Sequence, residues 1–256
     1  MKTFYSFGAS ATLSLALLSS CAVYVPTIPS TPLVTKKGEV EVAGGIRSLS
    51  SVEASAAWSP APHLMLTAET ALQTSNGSET RGGTTTDYRS VHRQASLGLG
   101  TYRLLGQDQS VYLAAVGGLG VATANIYDPN LTPIGLFSGP VVHYEAQYLR
   151  YYGQVYVAKQ TPGVNYGASL RSTFVDYSRL QRDGATVAPL NRVFLEPTLF
   201  VRVGRRALQW QTTLGVSTPL NPSRSNPDHQ NLAPASLLVG TGVVFRPALL
   251  RHRAAE

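Results

Sequence analysis

The sequence predicts an all-β fold, an antiparallel up-and-down transmembrane β-barrel of about ten strands (within about 8–12). Apolar and polar residues alternate with period two through one segment after another, which is typical of strands with one buried face. Short connections alternate with longer ones rich in Gly, Pro, Asn, Ser and Thr, as in a meander whose two ends differ. Charged residues make up only 14% of the 256 residues, against about 25% in soluble domains.

The first 20 residues are typical of a signal peptide. Lys2 is followed by an apolar run that is too short, and too rich in Ser, Thr and Gly, for a membrane span of about 20 residues. The run ends in Leu18-Ser19-Ser20-Cys21, which resembles the lipobox of bacterial lipoproteins, and Cys21 is the only cysteine in the chain. The resemblance implies that residues 1–20 form a lipoprotein signal peptide and that Cys21 carries a covalent lipid. An exported protein without lipid is the alternative.

Residues 21–37 contain Pro26, Pro29 and Pro32 and are predicted to form an extended tether. The barrel is predicted over residues 38–247, and residues 248–256 form a C-terminal tail. A slip in the alternation near Leu149-Arg150 indicates a bulge. Ten alternating segments supply the strands: 40–46, 52–58, 64–72, 95–101, 111–121, 142–148, 164–174, 193–201, 208–216 and 237–245.

Connections between these segments are predicted to differ at the two ends of the barrel. Short ones cover 59–63, 106–109, 159–163 and 204–206, and long ones cover 74–88, 128–140, 181–190 and 219–233. This arrangement resembles outer-membrane β-barrels, in which short turns face the periplasm and long loops face outward. The long loops are where an external partner would bind.

The opening of the barrel, Lys36-Lys37-Gly38-Glu39 after a proline tether and a lipobox, resembles a group of porin-like barrel lipoproteins. This resemblance implies a protein of the cell outer membrane, lipid-anchored at its N-terminus in the inner leaflet. It also implies three partners, which are outer-membrane lipid, the barrel-assembly machinery and the lipoprotein-sorting machinery. Phe245 resembles the terminal aromatic residue read by the assembly machinery, although the chain continues beyond it.

The apolar parity of the strands is predicted to face lipid, because the polar parity is rich in small residues and poor in charge. A soluble lipocalin-like barrel would reverse the two faces and carry far more charge outside. Five aromatic residues near strand ends are expected to form interfacial girdles: Trp58, Tyr127, Tyr144, Tyr166 and Trp210.

Charged residues on the polar parity are predicted to lie in the lumen, where an unpaired charge is costly. They are Glu39, Glu41, Arg47, Glu53, Glu69, Glu145, Arg171, Arg192, Glu196 and Arg202. Paired across a narrow barrel, they would form an Arg–Glu plug. Left open, they would line a charged pore that selects solutes.

Catalytic candidates are few. His143 and Glu145 share one strand face and could join Ser138 or Ser169 in a Ser-His-acid site, as in outer-membrane lipid hydrolases and acyltransferases. No Gly-x-Ser-x-Gly elbow is present, and neither a metal site nor a cofactor other than the Cys21 lipid is expected. The net charge of +7 would suit nucleic acid, but export argues against such a partner.

The sequence therefore predicts a non-catalytic barrel with a structural, surface-contact or porin-like role. Three alternatives stay open: a small solute channel, an outer-membrane lipid-modifying enzyme, and a soluble lipocalin-like lipoprotein that binds a hydrophobic ligand.

Overall fold

A computed structural model of the chain describes residues 23–48, 50–81, 83–128, 141–188, 191–204, 206–220 and 235–251. The predicted signal peptide, Cys21 and Ser138 lie outside these ranges. Within them, no helix is long and apolar enough to cross a membrane.

Strands dominate the described part of the chain, and one short helix follows the last of them. They are β1 (Val40–Ser48), β2 (Ser51–Trp58), β3 (Leu64–Arg81), β4 (Thr84–Leu105), β5 (Val111–Asp128), β6 (Val142–Thr161), β7 (Val164–Arg182), β8 (Ala185–Thr186), β9 (Arg192–Val203), β10 (Leu208–Pro219), β11 (Ser236–Phe245) and the helix α1 (Ala248–Arg251).

The strands close into a barrel. Every long strand pairs antiparallel with its two neighbours, and β1 closes the ring against β11, with Val42 opposite Phe245. The two-residue β8 folds back and pairs only with the last two residues of β7. Ten long strands therefore form an up-and-down antiparallel barrel, which confirms the predicted fold class.

The connections define two ends of the barrel. We call the end with turns 59–63, 106–110, 162–163 and 204–207 the short-turn end, and the opposite end the long-connection end. The predicted long loop 74–88 is wrong, because β3 and β4 pair in register up to Arg81 and Thr84. Its polar composition is typical of a loop, but the strand pairing continues, with the hydroxyl oxygens of Thr80 and Thr85 2.9 Å apart. The prediction for 181–190 is also wrong at its start, because β7 runs to Arg182 and turns tightly into β8.

Side chains alternate between an apolar outer face and a polar inner face. Leu97, Leu119 and Leu199 point outward and are 58–67% exposed, whereas Arg171 and Thr173 point inward and are fully buried. The bulge predicted in β6 lies instead in its partner β7. Gln147 of β6 is opposite Arg179 and Tyr148 is opposite Tyr177, so Ser178 is the extra residue in β7.

In β6, residues 142–148 at the long-connection end face the opposite way from the prediction, with the even-numbered side chains in the lumen. Tyr144 is 2% exposed and faces the lumen, so its prediction as an interfacial aromatic is wrong. Glu145 and His143 lie on the outer face, so the prediction of a lumenal Glu145 is also wrong. The reason is that this inner face packs against Val23 and Tyr24, so apolar residues are needed on the lumen side.

The core of the molecule lies inside the barrel. Residues 23–35, which belong to the predicted tether, run within the lumen of the barrel. Val23, Tyr24, Leu33 and Val34 are at most 1% exposed. We call residues 23–35 the lumenal segment. It joins two apolar clusters, one around Val23 and Tyr24 and the other around Leu33 and Val34.

Candidate functional site

The inner wall carries nearly all the charges that the sequence assigned to the lumen. All of them except Glu145 are buried or half-buried there, namely Glu39, Glu41, Arg47, Glu53, Glu69, Arg171, Arg192, Glu196 and Arg202. Because charged groups in such surroundings need partners, the candidate site is the network they form with each other and with the lumenal segment.

Glu69 is the centre of this network. Its carboxylate accepts hydrogen bonds from Arg171 Nη1 at 3.1 Å, from Arg171 Nη2, and from Arg150 Nη2 at 3.3 Å. Arg171 also donates to Gln154, and its guanidinium lies 4.6 Å from the centroid of the Tyr152 ring. Two guanidinium groups therefore share one carboxylate, and amide and aromatic groups complete their surroundings.

A second ionic cluster lies near the short-turn end. Arg202 donates to both Glu41 oxygens at 3.0 Å, a bidentate pair, and also to Gln211. Arg246 donates to Glu39 and approaches Glu41 at 3.6 Å. Burial acts to raise the pKa of Glu39, but Arg246 and the Thr35 backbone N–H outweigh it and lower that pKa.

Two further carboxylates, Glu196 and Glu53, lie in the half of the network nearer the long-connection end. Glu196 accepts hydrogen bonds from the hydroxyl groups of Tyr24 at 2.9 Å, Thr173 at 3.1 Å and Ser217 at 3.0 Å. Glu53 accepts from Arg47 Nε at 3.0 Å. These hydrogen bonds connect β9 to β7 and β10, and β2 to β1.

The wall also satisfies the backbone of the lumenal segment. The N–H groups of Ile28, Ser30 and Leu33 donate to Glu53, Glu69 and Glu41, respectively. Its carbonyls accept in turn: Ser30 O from Gln154, Thr31 O from Arg202 and Pro32 O from Tyr156. Six backbone polar groups of this segment, three N–H groups and three carbonyls, are therefore bonded to side chains of the wall.

A small cavity lies beside the lumenal segment. Its volume is about 90 Å³, and it lies between residues 27–31 and wall residues of β1, β2, β3, β9, β10 and β11. Ligand pockets usually measure about 300–1,000 Å³, so this space suits a few water molecules rather than a solute or a hydrophobic ligand.

Two members of the network were missed by sequence reasoning. Arg150 points into the lumen, where it bonds to Glu69 and Gln94, and is 1% exposed, and Arg246, which follows β11, is 7% exposed. Arg150 lies in the middle of a strand between Leu149 and Tyr151, where the predicted lipid-facing side would be destabilised by a charge. That signal alone could have placed Arg150 in the lumen, and Tyr144 with it, because the two residues lie on the same face of β6.

The catalytic candidates are not assembled. His143 Nε2 lies 4.0 Å from Glu145 Oε1 and 3.1 Å from Asn125 Oδ1, all on the outer face of the barrel. Ser169 is buried on the inner face, opposite Tyr156 of β6. His143 and Ser169 therefore do not form a nucleophile–base pair. Among the described residues, no group of three His, Cys, Asp or Glu side chains could hold a metal ion.

Four of the five predicted interfacial aromatics lie on the outer face. Trp58, Tyr166 and Trp210 are 48–54% exposed and lie near the short-turn end. Tyr127 lies at the long-connection end and stacks on His143, with ring centroids 4.2 Å apart. These four outer aromatic residues therefore lie close to the two rims of the barrel.

Comparison with known proteins gave likenesses among solved structures. No family model matches the chain, and no curated protein matches it. Among solved structures, it is similar to the translocator domain of the autotransporter NalP from Neisseria meningitidis. The TM-score is 0.46 and the sequence identity is 12%, over 96% of this chain and 100% of that chain.

Proposed function

We propose that the chain is an integral outer-membrane β-barrel whose lumen is closed by its own N-terminal segment. Its role is non-catalytic and non-conducting: a rigid scaffold that holds its long-connection end at the cell surface. The observation that carries this proposal is the distribution of polarity, with apolar residues outside and paired charges inside.

The height of the apolar band supports membrane insertion. On the outer face of β4, exposed Arg93 and Arg103 flank Ala95, Leu97, Leu99 and Thr101. Ten residues rise by about 34 Å along a strand, and a tilt of about 40° reduces this to roughly 26 Å across the membrane. Outer-membrane barrels carry an apolar band of about 25 Å. A soluble lipocalin-like barrel would instead have to expose this entire band to water.

The orientation follows from the connections. In outer-membrane barrels the short turns face the periplasm and the longer connections face the outside. The long-connection end, with the projecting β3–β4 hairpin, therefore faces the cell exterior. Surface contacts with other molecules would be made there, on connections positioned by a rigid barrel.

A closed lumen is favoured over a solute channel. The lumenal segment is bonded to wall residues on several strands, and the cavity between its residues 27–31 and the wall is about 90 Å³. Planar-bilayer recordings of the refolded full chain are expected to show no conductance steps. Steady conductance from the wild-type protein would overturn the plug and favour the channel.

A lipid on Cys21 remains part of the proposal, supported by Leu18-Ser19-Ser20-Cys21. Outer-membrane lipid, the barrel-assembly machinery and the lipoprotein-sorting machinery are the partners that follow from it. A lipid-modifying activity is not favoured, because His143 and Ser169 lie on opposite faces of the wall.

Fractionation of a Cys21→Ala variant tests membrane insertion apart from lipid anchoring. We expect the variant to stay in the outer membrane, and its mobility on a denaturing gel to shift on boiling. Release of the variant as a soluble periplasmic protein would overturn the proposed function and make the lipid its only link to the membrane.

A further inference from the structure

The lumenal segment runs from one end of the barrel to the other. Its N-terminal residues, Val23 and Tyr24, lie in the cluster that contains Ile126, Val142 and Leu180, all near the long-connection ends of their strands. Its C-terminal residues, Leu33 and Val34, lie in the other cluster, among residues near the short-turn ends: Ala57, Met65, Tyr102, Tyr112 and Ala158.

Contacts with a single strand give the same direction. Pro32 O accepts a hydrogen bond from Tyr156, and the Tyr24 ring lies 6.0 Å from that of Tyr148, eight residues earlier in β6. Eight residues of a strand tilted by about 40° rise by roughly 21 Å across the membrane. The segment therefore crosses most of the membrane thickness between Pro32 and Tyr24.

Intermediate contacts fix this path. Between these two points, Arg150 donates to Thr27 at 3.1 Å, the Ile28 N–H donates to Glu53 at 3.1 Å, and the Ser30 N–H donates to Glu69 at 3.2 Å. The direction of the segment is thus set by bonds along its whole length, and reversing it would leave buried charges without these partners.

We propose that the chain is threaded through its own barrel, with Val23 at the long-connection end and Val34 at the short-turn end. This inference rests on the proposed membrane insertion. It has a consequence for the lipid, because Cys21 is two residues from Val23 and so can lie at most about 7 Å away. The apolar band of about 25 Å spans both leaflets and separates the two membrane surfaces. A lipid on Cys21 therefore enters the outer leaflet, contrary to the inner-leaflet anchor expected from the sequence.

The test compares three short epitope insertions in the full chain, probed with an impermeant antibody on intact and on permeabilised cells. One tag is placed between Ala22 and Val23, one between Gly82 and Gly83 in the β3–β4 turn, and one between Lys37 and Gly38 at the short-turn end. Threading predicts that the first tag is labelled on the same side as the Gly82 tag and opposite the Lys37 tag. Labelling of the first tag together with the Lys37 tag would overturn the inference.

Two further readouts separate the possible failures. Heat-modifiable mobility of each tagged protein reports whether the barrel is inserted, so its loss would count against the proposed function rather than against threading alone. A Ser30→Cys and Ser55→Cys pair, on a Cys21→Ala background, reports whether the tagged segment is still seated, because the two hydroxyl oxygens lie 3.2 Å apart. Failure of the pair to cross-link under oxidant would contradict the path.

The mass of surface-labelled protein with Cys21 intact tests the leaflet. An acyl mass on protein whose Ala22 tag is labelled on intact cells is the result expected for an outer-leaflet anchor. Acylated protein whose Ala22 tag is labelled only after permeabilisation would overturn it.

Discussion

Removal of the Glu69 carboxylate should destabilise the barrel strongly. Glu69 is the only carboxylate bonded to both Arg150 and Arg171 in the described residues, and the side chains of these two arginines are 2% and 0% exposed. Glu69→Ala would leave two buried guanidinium groups with only neutral partners. Breaking a buried ion pair in this way costs about 3–5 kcal/mol, so we expect a loss of about 4 kcal/mol in the free energy of unfolding.

Two further variants serve as an intermediate case and a control for this prediction. Glu69→Gln keeps an acceptor but removes the charge, and should cost about half as much, since hydrogen bonds to charged groups contribute about 1.5–3 kcal/mol. Glu145→Ala removes an outer carboxylate whose side chain is 42% exposed and lies 3.6 Å from Arg179. Exposed pairs contribute about 0–1 kcal/mol, so this control should be nearly neutral.

The assay is urea unfolding of the refolded barrel in lipid vesicles, followed by tryptophan fluorescence and by the heat-modifiable gel band. The two tryptophans, Trp58 and Trp210, both lie on the wall and report the transition without a label. A Glu69→Ala variant within about 1 kcal/mol of wild type would refute the reasoning. So would a Glu145→Ala variant that loses as much stability as Glu69→Ala.

Two further predictions concern packing and pH. Gly118→Ala should lower the free energy of unfolding by about 1–3 kcal/mol, because the added methyl group would overlap the Tyr152 ring. Gly117→Ala should be neutral, because the atom nearest to its added methyl group, the Tyr152 carbonyl oxygen, is 3.9 Å away. Unfolding in urea compares the two variants. Because Arg246 helps to lower the pKa of Glu39 below its ordinary 4.5, the pair stabilises the protein above that pH and loses the effect below it. Unfolding free energies measured against pH should therefore fall on acidification, less steeply in Arg246→Gln; equal slopes would contradict the pairing.

Much of the fold could be predicted from local pattern alone. In β5, Leu113 and Leu119 alternate with Tyr112 and Ala114, and the structure places the first pair outside and the second pair inside. The alternation is informative because the outer face of each strand is apolar, whereas the inner face lines a polar network. It also gave the strand number, since each alternating segment became one long strand.

The lumenal segment could not be predicted in this way. Its proline-rich composition is typical of a linker, and its partners come from distant parts of the chain, as when Tyr24 bonds to Glu196, 172 residues later. Tyr144 was misassigned because apolar residues line the lumen where it packs against that segment, although Arg150 on the same face of β6 indicates its parity. The projecting hairpin was missed because its polar residues pair strand to strand, which composition does not reveal.

The most direct test of the central claim asks which face of the barrel meets lipid. Trp58 and Trp210 are the only tryptophans in the chain, and both lie on the outer face, 48% and 54% exposed. In vesicles of lipids brominated along the acyl chain, we expect strong quenching of both and little quenching by aqueous acrylamide. Full access to acrylamide with no quenching by the brominated lipid would show that the apolar face does not lie in the membrane.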